Sequence, residues 1–214
     1  FSFNESSLAE ENAMDIDYEL VQIHGNINSN AVAAASEKIH CLEVNGVKHA
    51  TLEINSRGGK AQAGFALYNR VEASSVIFQV LVLQLCRSAA MMGLFSVPLE
   101  RRYCYPTSQF MDHPAKHELS GLWSVAELER QILLTRAIDD LTLDIYEAST
   151  ALSREQAYDI FIKSGQDVHF NAEQAREWGI IGHIIGQEDR PVLTPKILTR
   201  QVVSMASRNA RSSK

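Results

Sequence analysis

The chain has 214 residues, of which 45% are hydrophobic, so it can form one globular domain with a substantial core. Its formal net charge of −6 argues against broad nucleic-acid binding, and we expect no nucleic-acid partner. The longest apolar run, residues 76–86, reaches about half of the roughly 20 residues that a membrane helix needs, which predicts a buried strand and no membrane span.

The first half of the chain alternates between strand-like and helix-like patterns. Residues 18–25 are predicted to form a strand, and helical spacing follows up to a turn at Asn45 and Gly46. A second predicted strand, 51–54, runs into a glycine pair before a helix over residues 61–74. A third strand is followed by a helix in the small residues of "SAAMMGLFSV". This order predicts a mixed α/β layered fold.

The second half contains the longest predicted element. Short strands in "RRYCYP" and "SQFMDH" precede a helix over residues 124–149, which opens on a capping box formed by Ser124 and Glu127. At about 39 Å this helix is longer than one small domain can cover, and its apolar side chains lie on more than one face. We therefore predict that it projects and packs against another subunit. A helix from Ser153, a helix ending near Gly179 and a last strand complete the chain.

The two ends of the chain differ in composition from the predicted domain, residues 18–190. Residues 1–17 are acidic and polar and lack a secretory signal pattern, so we expect the cytoplasm or an organelle interior, such as the plastid or mitochondrial matrix. Residues 191–214 form a basic tail, with five cationic side chains and no acid after residue 193. The three cysteines have no CxxC spacing, which predicts buried thiols in a reducing compartment, with no metal and no cofactor.

Two glycine-containing stretches could present backbone amides to a substrate. In "NSRGG", Gly58 and Gly59 follow a strand and could bind an oxyanion or a peptide backbone, although a simple turn explains them as well. "SAAMMG" lies at a strand-to-helix junction, where amides can face negative charge or small residues can pack closely. Neither stretch alone is strong evidence for a substrate-binding site.

His113 is the histidine placed best for catalysis. It ends a short strand in "FMDHPA", where an edge position would expose the imidazole as a general base. Asp167, which follows a turn, could orient His113 and hold one tautomer, and we expect the fold to bring the two together. Asp112 points to the opposite face of the strand and is predicted to be a poor orienter.

The ordered motifs "INSRGG", "SAAMMG", "RRYCYPTSQFMDHP", the long helix and "FNAEQAREWGIIGHII" resemble the proteolytic subunit of the ATP-dependent Clp protease, a serine peptidase. The resemblance covers residues 18–186. It implies a crotonase-like α/β spiral of β-β-α units in a single domain with a long projecting helix. It also implies homo- or hetero-oligomers of seven-membered rings stacked to fourteen subunits, polypeptide substrates, and an AAA+ unfoldase that threads them in.

The resemblance carries the family's base onto His113 and its acid onto Asp167, but its serine falls on Met91, since "AAMMG" overlays Ala-Ala-Ser-Met-Gly. A thioether has no proton to lose, so Met91 cannot act as the nucleophile. The family's oxyanion amides correspond to Gly59 and Met92. Arg57 replaces the family's proline beside the glycine pair. The chain thus resembles the noncatalytic Clp-type subunits that assemble with active ones.

Other readings remain open from the sequence. Ser88, three residues before Met91, could replace the missing nucleophile, although a helical turn would place it about 4.5 Å away along the axis. An engineered change at Ala90 or Met91 could also have removed a natural serine. The same fold serves crotonase-type acyl-CoA enzymes, which hold a thioester oxyanion with two amides. A further alternative is a pure assembly or adaptor protein.

Overall fold

The structure, a computed structural model, describes residues 19–187. Within that range seven strands form one sheet: β1 (Leu20–Ile27), β2 (His49–Gly59), β3 (Ile77–Arg87), β4 (Arg102–Cys104), β5 (Gln109–Asp112), β6 (Val168–Asn171) and β7 (His183–Ile184). The main path runs β1-β2-β3-β4-β7, and β5 pairs with both β3 and β6. All pairs are parallel except β5–β6. The predicted N-terminal segment, the domain limits at 18 and 190 and the basic tail lie outside the described residues.

Helices follow the strands in the order that the sequence predicts. They are α1 (Ser29–Val44), α2 (Ala61–Glu72), α3 (Ala90–Phe95), α4 (Val125–Ser149), α5 (Arg154–Ala157) and α6 (Ala172–Glu177). The predicted helix from Ser153 is shorter than expected, because α5 passes into a π-helical turn over Tyr158–Ile162. The predicted capping box of Ser124 and Glu127 is present at the start of α4.

The core lies on both sides of β3, the strand that pairs with β2, β4 and β5. All six residues of α3 are buried, which places this short helix inside the molecule. Arg102 is 2% exposed and donates to the carbonyl oxygens of Val97 (2.8 Å) and Ser149 (2.7 Å), so it joins β4 to the end of α4. An aromatic cluster packs nearby: Phe95, Phe110, Tyr146, Phe161, Phe170 and Trp178. These contacts pack the core next to the carboxyl ends of β3 and β5.

Only the C-terminal part of α4 is buried in this chain. Its buried residues are Leu143 and Tyr146, whereas large apolar side chains on the rest of the helix are exposed: Val125, Leu128, Ile132, Leu133, Leu134 and Leu141. The predicted projection of the long helix is therefore present. Its role in assembly stays a prediction at this point.

Glu43 joins the ends of α1 and α2. Its carboxylate accepts from Nη1 and Nη2 of Arg70 at 3.0 and 2.7 Å and from the Ser74 hydroxyl at 2.7 Å. These bonds to the charged form, the Arg70 bond foremost, lower the pKa of Glu43 from 4.5 to about 2. A lowered carboxyl pKa stabilises the fold above pH about 4.5, and that stabilisation is lost as the pH falls toward about 2.

We therefore expect Glu43→Gln to lower the melting temperature at pH 7 by about 2–4 °C. The difference from the wild type should close as the pH approaches 2, because the wild-type carboxylate is then protonated as well. Thermal melts at a series of pH values measure this. Glu37→Gln, on the same helix but without a described partner, is the control and should show no such convergence. A constant difference across the series would contradict the prediction.

Candidate active site

A cleft of about 610 Å³ opens at the edge of the sheet where β2, β3 and β5 end. These strands run parallel, so their carboxyl ends meet at one edge, which is where open α/β sheets bind ligands. The cleft is lined by residues from these strand ends, from the start of α2 and from the middle of α4, among them Arg57, Gly59, Lys60, Phe65, Ser88, Ala89, Met92, Asp112, His113, Lys116 and Asp139.

Ser88 sits on a strained turn between β3 and α3. Its φ of +52° makes it the one non-glycine residue with positive φ among residues 19–187. The turn is held by hydrogen bonds from the Ser88 N–H to the Met111 carbonyl (2.7 Å) and from the Met91 N–H to the Ser88 carbonyl (2.8 Å). Backbone strain of this kind costs about 1–3 kcal/mol and concentrates at active sites. A serine on a sharp strand-to-helix turn is also how hydrolases of other folds expose a nucleophile.

Met91 does not line the cleft. Its side chain is 0% exposed and belongs to the hydrophobic core, and the same is true of Ala90. A serine at either position would therefore lie in the core in this conformation. The structure places Ser88 in the cleft with His113, and Met91 in the core.

The two glycines of β2 have different surroundings. The Gly58 N–H donates to the Ser56 hydroxyl at 3.0 Å, so it is not available to an oxyanion as the sequence had suggested. Gly58 instead lets the chain pass Ser88 closely, since a Cβ on it would stand 2.9 Å from the Ser88 Cβ and 2.5 Å from the Arg87 oxygen. Gly59 and Met92 both line the cleft, and Arg57 lines it too.

His113 directly follows β5 and is partly buried in the cleft. Its Nδ1 lies 2.6 Å from the carbonyl oxygen of Pro114. A carbonyl only accepts, so the proton is on Nδ1, and Nε2 keeps the lone pair that a general base needs. The strand pairing brings the end of β5 to the turn that holds Ser88, because Arg87 pairs with Met111 at the end of β3, and both Ser88 and His113 line the cleft.

Asp167 lies across from His113 but does not bond to it. The antiparallel pairing of Asp112 with Val168 carries the backbone of Asp167 to the neighbouring position. Its Oδ1, however, accepts from Nζ of Lys116 at 2.6 Å. That bond lowers the pKa of the Asp167 carboxyl below 3.8. The predicted direct hydrogen bond between His113 and Asp167 is therefore absent, because the Asp167 carboxylate accepts from the ammonium group of Lys116 instead.

Two carboxylates near His113 were not assigned a role from the sequence. Asp112 is 5% exposed, and its oxygens accept from the Tyr146 hydroxyl (2.7 Å) and from the His113 N–H (2.9 Å). Burial raises the pKa of Asp112. Asp139, on α4, accepts from the Ala115 N–H at 2.7 Å, and burial raises its pKa as well. The contacts of Asp112 with Tyr146 and of Asp139 with Ala115 join segments far apart in sequence, so no short-range pattern predicts them.

A second cavity, of about 830 Å³, lies between the end of α2, the segment after α3 and the end of α4. Tyr68, Glu72, Phe95 and Arg102 are among its lining residues, and no histidine is. It therefore lacks the combination of nucleophile and general base that the first cleft contains.

Comparison with known proteins assigns a family to this architecture. The family model described as Clp protease matches residues 9–188. An ATP-dependent Clp protease proteolytic subunit of Carsonella ruddii is 21% identical over 166 residues, covering 78% of this chain and 83% of that protein. The proteolytic subunit 1 of Chlamydia trachomatis is 28% identical over 167 residues, covering 74% of this chain and 82% of its own length.

Among solved structures, a mutant of ClpP1 from Listeria monocytogenes has a TM-score of 0.70 with 22% sequence identity. The match covers 80% of this chain and 93% of that one. At this identity the likeness is one of fold, and it confirms the mixed α/β fold class that the sequence predicted. The crotonase-like description of the spiral stays a prediction.

Proposed function

Because this chain belongs to the Clp protease family, we propose that it is a peptidase subunit in which Ser88, and not the residue at position 91, is the nucleophile. One observation carries the proposal. Ser88 stands on the strained turn at +52° and lines the same cleft as His113, whereas Met91 is 0% exposed in the core. The substrate class is polypeptide, as the family membership suggests.

In the proposed reaction, Nε2 of His113 takes the proton of the Ser88 hydroxyl while the oxygen attacks the scissile carbonyl carbon. The carbonyl oxygen becomes an oxyanion, and the N–H groups of Ala89 and Gly59, which both line the cleft, are the proposed donors to it. Protonated His113 then gives its proton to the leaving amine as the carbon–nitrogen bond breaks. Water attacks the acyl-enzyme with His113 again as base, which releases the acid and restores the Ser88 hydroxyl.

Because the proposed nucleophile is at a different position, the proposed N–H donor to the oxyanion also changes. In a serine hydrolase of this kind one donor is the N–H of the residue after the nucleophile. With Ser88 as nucleophile this becomes Ala89 and no longer Met92. The Ala89 N–H has no backbone partner among the described residues, which suits such a role.

A fluorophosphonate probe tests the proposal directly, since it forms a covalent bond only with an activated serine. We expect stoichiometric labelling of the wild-type chain, with the modified peptide mapping to Ser88. Ser88→Ala should abolish labelling, and Ser120→Ala, which changes an exposed serine in the loop before α4, should leave it unchanged. A wild-type chain that takes no label under conditions that label an active Clp protease subunit would overturn the assignment.

A noncatalytic subunit is the second candidate. The observation in its favour is that Asp167 bonds to Lys116 and not to His113, so the direct triad contact is missing. Absence of labelling at Ser88 would support this candidate. An acyl-CoA enzyme has less support, because the cleft carboxylates Asp112 and Asp139 already accept hydrogen bonds from the protein.

We also propose that the exposed apolar side chains of α4 pack against another subunit in a ring assembly that works with an AAA+ unfoldase. Six large apolar residues of this helix are exposed in the single chain, and Leu133 is 66% exposed. Contiguous exposed apolar surface of this kind marks an interaction site. Among the described residues, no helix has the length and apolarity to cross a membrane.

A further inference from the structure

The hydrogen bonds around His113 include a path to a third carboxylate. Nδ1 of His113 lies 2.6 Å from the carbonyl oxygen of Pro114. The N–H of Ala115 belongs to the same peptide group as that carbonyl, and it donates to Oδ1 of Asp139 at 2.7 Å. The C=O and N–H of a trans peptide point in opposite directions, so this peptide lies between the imidazole and the carboxylate and connects them.

The two bonds reinforce each other. A carboxylate that accepts from an N–H forms a charge-assisted hydrogen bond, which is stronger than one between neutral groups. It also polarises the peptide, so the carbonyl oxygen at the other end accepts more strongly, by about 10–30% per bond. Asp139, His113 and Ala115 all line the same cleft, where partial burial limits the screening of this charge by water.

We propose that Asp139 is the positioning residue of this peptidase, acting on His113 through the Pro114–Ala115 peptide in place of a directly bonded acid. The inference rests on the proposed Ser88 reaction. Through the peptide, Asp139 keeps the proton on Nδ1, aims Nε2 at Ser88, and stabilises the imidazolium that forms when His113 takes the serine proton.

Two other carboxylates near His113 have hydrogen-bond or ion-pair partners of their own. Asp112, at the end of β5, has both oxygens bonded, to the Tyr146 hydroxyl and to the His113 backbone N–H. Asp167, before β6, is paired with Lys116, which comes from the loop after β5. Asp139 is therefore the carboxylate whose hydrogen-bonded path ends on the Nδ1 side of the imidazole.

The test compares Asp139→Asn with Asp167→Asn in the full chain. An asparagine at 139 keeps a carbonyl oxygen that can accept from the Ala115 N–H, so it removes the charge and preserves the bond. The measured quantity is the rate constant for fluorophosphonate labelling of Ser88 across a pH series, with melting temperatures recorded for every variant.

We expect Asp139→Asn to slow labelling at least about 10-fold with an unchanged melting temperature, since direct removal of a triad carboxylate costs about 10⁴-fold and this contact acts through a peptide. Asp167→Asn should change the rate less than about 2-fold. Asp139→Glu, which keeps the charge on a longer side chain, should label faster than Asp139→Asn and slower than the wild type.

The reverse pattern, a large loss with Asp167→Asn and none with Asp139→Asn, would overturn the inference while leaving the Ser88 assignment intact. Should Asp139→Asn fail to fold, a large loss in Asp167→Asn by itself counts against Asp139, because the inference expects a change of less than about 2-fold in that variant. A wild-type chain without any label at Ser88 removes the proposed function and this inference with it.

Discussion

Ser88→Ala is expected to lower kcat/KM for a fluorogenic peptide by at least about 10³-fold, because removal of a catalytic serine leaves only binding and oxyanion stabilisation. The fold should be unaffected, since Ser88 lies at the cleft and its backbone bonds to Met111 and Met91 do not involve its side chain. The alanine keeps the backbone φ of +52°, so the exchange should change stability little.

Met91→Ser is the variant matched to Ser88→Ala, because it introduces a serine at the position that the motif overlay indicates. Met91 is 0% exposed, so the variant leaves a cavity and buries a hydroxyl, at a cost of about 2–5 kcal/mol of unfolding free energy. We expect no gain in peptidase activity, either alone or combined with Ser88→Ala. Activity that appears in the double variant would return the nucleophile position to residue 91, and activity that persists in Ser88→Ala would show that Ser88 is not the nucleophile.

Leu141→Glu is expected to convert the assembled particle into a folded monomer of 23.8 kDa. The side chain is 53% exposed in the single chain, so the change should cost the isolated fold little. In an interface the same position would bury a charge in place of a leucine whose full burial stabilises by about 1.5–3 kcal/mol. Native mass spectrometry or sedimentation measures the particle, and circular dichroism reports the fold.

Leu141→Met is the control, because it keeps the apolar volume and should keep the particle. A ring that persists with Leu141→Glu would show that this part of α4 is not at the interface. A wild-type chain that stays monomeric at micromolar concentration, also when mixed with Clp-type subunits from the same source, would contradict the assembly proposal itself.

Much of the local structure was predictable because its causes are local. The periodicity of apolar residues located the strands and helices, and the Ser-x-x-Glu pattern marked the start of α4, where the capping box is found. The prediction failed in detail after Ser153, where α5 gives way to a π-helical turn, since packing and not propensity decides such a turn.

The site itself was only partly predictable. The sequence located the glycine pair and His113, and strand order alone brings them to one edge of the sheet. It could not show that Lys116 takes the carboxylate of Asp167, or that Asp139 on α4 reaches the peptide after His113. Both contacts join segments far apart in the chain, and their geometry depends on how α4 and β6 pack against β5.

The sequence by itself indicated the family through the resemblance of its ordered motifs, and its periodicity determined the order of the elements and the presence of a long helix with apolar residues on several faces. Only the tertiary structure decided which residues of "SAAMM" line the cleft: Ser88, Ala89 and Met92 do, whereas Ala90 and Met91 are buried in the core. One positive φ at Ser88 sets the direction of the side chains around it, and Gly58 leaves the space that this turn requires. A motif overlay counts positions along the chain, whereas the direction of a side chain depends on backbone angles that tertiary contacts impose.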